Sequence, residues 1–142
     1  MVFEQKRSCE DHVFVLDYIV RNRLNYGLST YVAFIDMAKA FDWVDRDLLL
    51  YKLLLSGVDG NFYKAVKAMY TNTESCVRLD GKCTNLFKTA SGVRQGDVLS
   101  PTLFSLFING LVEELNELNL GIKIEETHIF ALLYADDIAL IA

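Results

Sequence analysis

Two adjacent carboxylates, Asp136 and Asp137, stand inside the apolar stretch 129–142 with no lysine or arginine in it. An ionised carboxylate buried in such a run is costly, so the pair needs either a turn that exposes it or a cation that neutralises it. Aspartate tolerates tight turns and residues 138–142 suit a returning strand, so a plain hairpin is one reading of Tyr134-Ala135-Asp136-Asp137. In the other, the turn is itself the site and holds one or both carboxylates toward a divalent cation. That reading needs a third acid. Asp36 is the candidate, because it closes the short apolar run 31–35, which is predicted to be a buried strand. An aspartate there is also an ordinary turn or cap residue. The segment that follows, Met37-Ala38-Lys39-Ala40-Phe41-Asp42, mixes small, basic and aromatic side chains of the kinds that meet phosphate, sugar and metal.

A second constellation is Ser91-Gly92-Val93-Arg94-Gln95-Gly96-Asp97-Val98-Leu99-Ser100-Pro101. Its glycines let backbone approach a ligand closely, Arg94 can meet phosphate, and Gln95 can donate and accept toward a base, sugar or phosphate. A helix N-terminus, which favours anions, follows directly. The same residues also make an ordinary capped loop, and the pattern matches neither the P-loop nor the dinucleotide fingerprint.

The elements that must carry these residues are legible as patterns. Ser8 and Asp11 have the form of a capping box, and Val13, Leu16, Val20 and Leu24 recur near helical spacing, so a helix is predicted over about 9–25. Asp45 or Asp47 can cap a leucine-rich helix ending at Gly57, and Phe62, Ala65, Val66, Met69 and Tyr70 mark an amphipathic one. Residues 75–79 and 83–89 flank Asp80-Gly81, a strong hairpin signal. Ser100-Pro101 reads as an N-cap with proline at the first helical position, and Phe104, Phe107, Ile108, Leu111, Leu115 and Leu118 carry that helix to about Asn119. Residues 122–124 and 129–134 are predicted strands. Helices intermixed with antiparallel strands, rather than regular βαβ alternation, point to an α+β domain with a small antiparallel sheet.

Composition bounds what such a domain can do. A chain of 142 residues that is 52% hydrophobic is about one domain with material for a packed core. No apolar run reaches roughly the 18 residues of a membrane span, and residues 1–7 lack the order of a signal peptide, so a soluble intracellular chain is expected, in cytoplasm or nucleus. Three cysteines without a CxxC arrangement argue against structural zinc. The net charge of −5 argues against a chain that coats nucleic acid by bulk electrostatics.

Taken in order, three blocks resemble the reverse transcriptase family, most closely the type encoded by non-LTR, LINE-like retrotransposons. Phe34-Ile35-Asp36 through Lys39-Ala40-Phe41-Asp42 looks like the family's first palm motif. Gly92-Val93-Arg94-Gln95-Gly96 through Leu99-Ser100-Pro101 looks like the second, and Tyr134-Ala135-Asp136-Asp137 like the third. The resemblance implies a palm-like α+β domain whose small antiparallel sheet packs on helices, with an incomplete fingers remnant over about 1–30, palm over about 31–142, and no thumb. It implies transfer of dNTPs to a DNA primer 3′ end on an RNA or DNA template, served by two Mg²⁺ ions for which Mn²⁺ could substitute. Asp36 and Asp136 would be the principal metal ligands, with Asp137 in support and the backbone carbonyl of Met37 reaching a metal. Phe41 would sit beneath the incoming sugar and exclude a ribose 2′-hydroxyl. Gln95 and Gly96 would line the nucleotide pocket with Arg94 nearby, and Tyr134 would pack near the primer terminus. Because the match begins late in the fingers and stops soon after Asp137, little or no processive activity is expected of these residues alone.

The same motifs also suit a group II intron-type reverse transcriptase. A non-catalytic remnant that binds RNA or protein would instead be indifferent to Asp36, Asp136 and Asp137. An RNA-dependent RNA polymerase of palm type is a further reading, against which Phe41 speaks.

Overall fold

Ser8 and Asp11 cap each other at the start of helix α1 (Cys9–Asn25): Ser8 Oγ accepts from the Asp11 amide at 3.3 Å, and Asp11 Oδ2 accepts from the Ser8 amide at 2.7 Å. These bonds satisfy amides that the first turn leaves unpaired. At the other end Gly27 takes φ +67° while the Gly27 and Leu28 amides donate to the Leu24 and Arg23 carbonyls, a Schellman stop that glycine permits. The computed structural model describes residues 8–118, 120–124 and 126–142.

Those residues form two compact units, the first running to Ala38 and resuming over 108–142, the second spanning 39–107. In the first unit, strand β1 (Val32–Asp36) pairs antiparallel with β9 (Asp137–Ile141), which pairs antiparallel with β8 (Ala131–Tyr134), giving the order β1-β9-β8. A separate hairpin joins β6 (Ile122–Ile124) to β7 (Thr127–Ile129). Ile19 of α1 is fully buried with Ile122 and Ile141, and Val15, Leu16, Ile124, Ile129 and Leu132 close around them. One face of α1 therefore seals one end of the sheet. Gly121 enters the β6 hairpin at φ +105°, where a Cβ would stand 2.6 Å from Phe130 Cα, so no other residue fits without moving backbone.

In the second unit, α2 (Arg46–Leu55) is capped by Asp45, whose Oδ1 accepts from the Leu48 amide at 2.9 Å. It buries Leu49, Leu50 and Leu53 and packs beside α3 (Gly60–Tyr70), which buries Val66 and Tyr70. The short strands β2 (Glu74–Ser75) and β5 (Phe87–Lys88) pair below a hairpin of β3 (Arg78–Leu79) and β4 (Lys82–Cys83), whose turn residues Asp80 and Gly81 both have positive φ, as the sequence suggests. Helix α4 (Ser100–Glu117) begins in this unit and continues into the first. Helices with small antiparallel sheets make the chain α+β. No helix among the described residues is long and apolar enough to cross a membrane.

Four local expectations change. The β1 run is not a buried strand: it lies at the sheet edge, and Phe34 is 76% exposed. The Asp80-Gly81 strands are interrupted because Thr84 Oγ1 takes the Val77 amide at 3.0 Å, a side chain replacing a ladder acceptor. The run 129–134 divides at Phe130, whose carbonyl accepts from the Ile141 amide at 2.8 Å between the two pairings. Ser100 is not the α4 cap. It is the helix's first residue, its hydroxyl donates back to the Arg94 carbonyl, and Asp97 Oδ1 accepts from the Leu99 amide at 3.0 Å. The expected end of α4 at Asn119 falls outside the described residues.

Candidate functional site

The hairpin β8–β9 exposes its acids by construction. Ala135 and Asp136 form the turn, and Ala135 has φ +53°, a left-handed conformation that a Cβ disfavours and a tight hairpin connection demands. Asp137 is then the first residue of β9, opposite Tyr134 on one side and opposite Asp36 on the other. The register therefore brings Asp36 and Asp137 together across the sheet, with Asp136 half-buried in the adjoining turn. Directly opposed residues in an antiparallel pair hold their Cβ atoms within roughly 4.5–5.5 Å, where like charges repel. Among the described residues no lysine or arginine comes within ion-pair distance of Asp36, Asp136 or Asp137. Met37 follows β1 directly and is half-buried.

Asp36 and Asp137 line a cavity of about 330 Å³ whose other walls are mainly apolar, from Val13 and Leu16 of α1 and Phe34, Leu132 and Ile138 of the sheet. Tyr134 and His12 also line it, their rings edge to face with centroids 5.8 Å apart. A hydrogen bond between Tyr134 and Cys9, then the charge of ionised Cys9, holds the Tyr134 phenol above the usual tyrosine range. Among the described residues no three His, Cys, Asp or Glu side chains are gathered into a metal-holding group. What is present is a pair of opposed carboxylates with a third in the next turn. An all-oxygen donor set of this size fits Mg²⁺, which keeps waters and takes one or two protein carboxylates beside substrate phosphates.

The remaining sequence candidates lie in the second unit. Phe41 occupies a turn opened by Lys39 at φ +55°, is half-buried, and stacks on Phe104 with centroids 4.5 Å apart and planes 19° from parallel. Gly92 lies against this turn: its amide donates to the Val44 carbonyl and the Val93 amide to the Phe41 carbonyl, both at 2.8 Å. A Cβ on Gly92 would approach Asp42 O to 2.9 Å, and its φ is +85°. Gln95 is exposed and donates from Nε2 to Asp42 Oδ1 at 2.8 Å. Gly96 is exposed with φ +84° and open space beside it, so its glycine serves the turn rather than a close approach within the chain. Arg94, also exposed, lines a polar cavity of about 750 Å³ with Asp42, Arg46, Lys88 and Gln95.

Asp42, read in the sequence only as the end of a motif, and Arg46, which sequence reasoning passed over, organise this unit. Asp42 anchors Gln95, and Arg46 reaches three acceptors on two segments at once: Gly92 O from Nε at 2.8 Å, and Thr73 Oγ1 and Thr89 O from Nη1 at 2.5 and 2.6 Å. Burial pulls the Arg46 guanidinium down from its ordinary value, the Tyr70 hydroxyl acts against this, and the charge of Arg94 adds to the fall. Arginine remains charged regardless. A signal was available, since a cation in the first turn of a helix opposes the helix dipole and so needs another reason to be there.

The model of the family described as reverse transcriptase (RNA-dependent DNA polymerase) matches residues 1–142. The chain is 31% identical over 135 residues to the Pol polyprotein of the type-2 retrotransposable element R2DM of Drosophila melanogaster, which covers 95% of this chain and 13% of that protein. It is 32% identical over 138 residues to the transposon TX1 149 kDa protein of Xenopus laevis, covering 96% of this chain and 11% of the other. Over 108 residues it is 32% identical to the RNA-directed DNA polymerase of the mobile element jockey of Drosophila funebris, 76% of this chain and 11% of the relative. The chain belongs to the reverse transcriptase family. It resembles members carried by non-LTR retrotransposons and spans only 11–13% of the length of these three.

Proposed function

We propose that this chain is the catalytic palm segment of an RNA-directed DNA polymerase that adds dNTPs to a primer 3′ end on an RNA template. The observation that carries the reading is the register that sets Asp36 opposite Asp137 beside the Asp136 turn, in a chain matched throughout by the reverse transcriptase family. In this reading residues 1–30 are the end of the fingers and 31–142 the palm. Asp36, Asp136 and Asp137, with the Met37 carbonyl, would hold divalent cations, Mg²⁺ or in substitution Mn²⁺. When bound, the cations supply positive charge that eases loss of the attacking hydroxyl's proton and stabilises the leaving pyrophosphate.

The chain's own groups do the positioning. Opposed strands fix Asp36 and Asp137, and the strained Ala135 turn fixes Asp136, so the carboxylates need little reorganisation when cations arrive. Phe41, stiffened by Phe104, presents a bulky ring that discriminates against ribose. Gln95, Gly96 and Arg94 contact the nucleotide, while Tyr134 packs near the primer end. A net charge of −5 supplies no basic grip on a duplex, so the 142 residues alone sustain little processive synthesis.

The test is primer extension by the longest polypeptide carrying these residues, with Asp36→Asn, Asp136→Asn and Asp137→Asn variants. Loss of divalent-dependent dNTP incorporation in all three supports the reading. Unchanged function in all three favours a non-catalytic remnant that binds RNA or protein.

A further inference from the structure

Arg46 sits where its charge is least welcome, in the first turn of α2, and among the described residues no carboxylate comes within ion-pair distance of it, Asp45 and Asp47 of the same turn included. Its acceptors are instead carbonyls and a hydroxyl from segments far apart in sequence: Gly92 O, Thr89 O and Thr73 Oγ1, with Tyr70 O at the longer distance of 3.5 Å. Thr73 and Thr89 are themselves joined, the Thr89 amide donating to Thr73 O at 3.0 Å and Thr73 Oγ1 to Thr89 O at 2.7 Å. The guanidinium fork thus closes a seam between the end of α3 and the loop 89–97. Beyond Gly92 the chain has little freedom left. The Gly92 and Val93 amides are bonded to Val44 and Phe41, Gly92 has no room for a Cβ, and Gln95 is tied to Asp42.

We propose that Arg46 is a positioning residue: by fixing the Gly92 carbonyl it sets the loop that carries Gln95 against the turn that carries Phe41, and so sets nucleotide affinity and sugar discrimination. This rests on the reading of Phe41 and Gln95 as nucleotide-contacting residues. Lysine cannot replace arginine here, because a single ammonium on a flexible stem does not span three acceptors in a fixed fork. The Gly92 carbonyl would be the first to lose its partner, and with it the restraint on the Gly92 and Val93 amides on either side of it.

Two measurements on Arg46→Lys decide the matter. Hydrogen exchange on the 142-residue chain reads the seam without requiring activity. The Gly92 and Val93 amides are expected to exchange about tenfold faster, the effect of one lost charge-assisted hydrogen bond, while the β8–β9 amides stay unchanged. Primer extension by the longest polypeptide carrying these residues reads the consequence: KM for dNTP rises about tenfold and discrimination against ribonucleotides falls, while kcat per active molecule stays within about threefold. A residue that merely stabilised the fold would lower the amount of active protein and leave KM and sugar discrimination alone. Unchanged exchange at Gly92 and Val93, or unchanged KM and discrimination, overturns the proposal. If the unsubstituted polypeptide extends no primer, the polymerase reading fails with it, and the exchange comparison still decides whether Arg46 holds the loop.

Discussion

Asp36 and Asp137 face each other on neighbouring strands and, among the described residues, no lysine or arginine comes within ion-pair distance of them, so in the metal-free chain they repel. Asp137→Asn is therefore expected to raise stability in chelator by roughly 0.2–1 kcal/mol, the range for an exposed cross-strand charge pair, as read by urea denaturation. Millimolar Mg²⁺ should stabilise the unsubstituted chain and do little for this variant, because a ligand that binds only the folded state stabilises it by mass action. An equal response of both proteins to Mg²⁺ would remove Asp137 from the proposed metal site. Tyr134 gives a second residue-scale test. Its phenol is raised by Cys9, so the folded state prefers the neutral ring more than the unfolded chain does. The stabilisation is complete below the ordinary tyrosine value near pH 10 and is lost as pH rises through the raised folded value. Ultraviolet titration should find one tyrosine ionising late, and Cys9→Ala should return it to the ordinary range.

At the scale of elements, Gly121 is the most exacting position. With φ +105° and Phe130 backbone where a Cβ would stand, Gly121→Ala is expected to cost roughly 2–4 kcal/mol in chemical denaturation, combining backbone strain with a steric clash. Ser8→Ala should cost only about 1 kcal/mol, since water can replace a lost cap at an exposed helix end. Much of this layer is legible beforehand because its causes are local. The Ser8–Asp11 box, the Gly27 stop, the Asp45 cap and the Asp80-Gly81 turn each depend on neighbours a few residues away. What could not be read depends on partners distant in sequence. Apolar periodicity makes 31–35 a strand but cannot say that β1 lies at the edge and leaves Phe34 exposed. Nor does composition reveal that Thr84 breaks a ladder or that Ser100 turns back to the Arg94 carbonyl. At the site, the acids were legible as an anomaly of charge in an apolar run, whereas the pairing of Asp36 with Asp137 is a matter of register and Arg46 of packing.

For the whole molecule, the candidate residues divide between its two compact units. The first contains the three aspartates and Met37, the second Phe41, Arg94, Gln95 and Gly96. Large apolar side chains are exposed in both, including Phe34 in the first and Trp43 and Val98, 73% and 91% exposed, in the second. The family match runs through both units. The proposed function, metal-dependent nucleotidyl transfer, is tested most directly by templated dNTP incorporation in the longest polypeptide carrying these residues, comparing the unsubstituted protein with Asp36→Asn. The expected result is Mg²⁺-dependent extension that falls on the order of a thousandfold in the variant while its circular dichroism spectrum stays that of the folded protein. Extension that survives Asp36→Asn at a similar rate would contradict the assignment of these carboxylates as the catalytic centre.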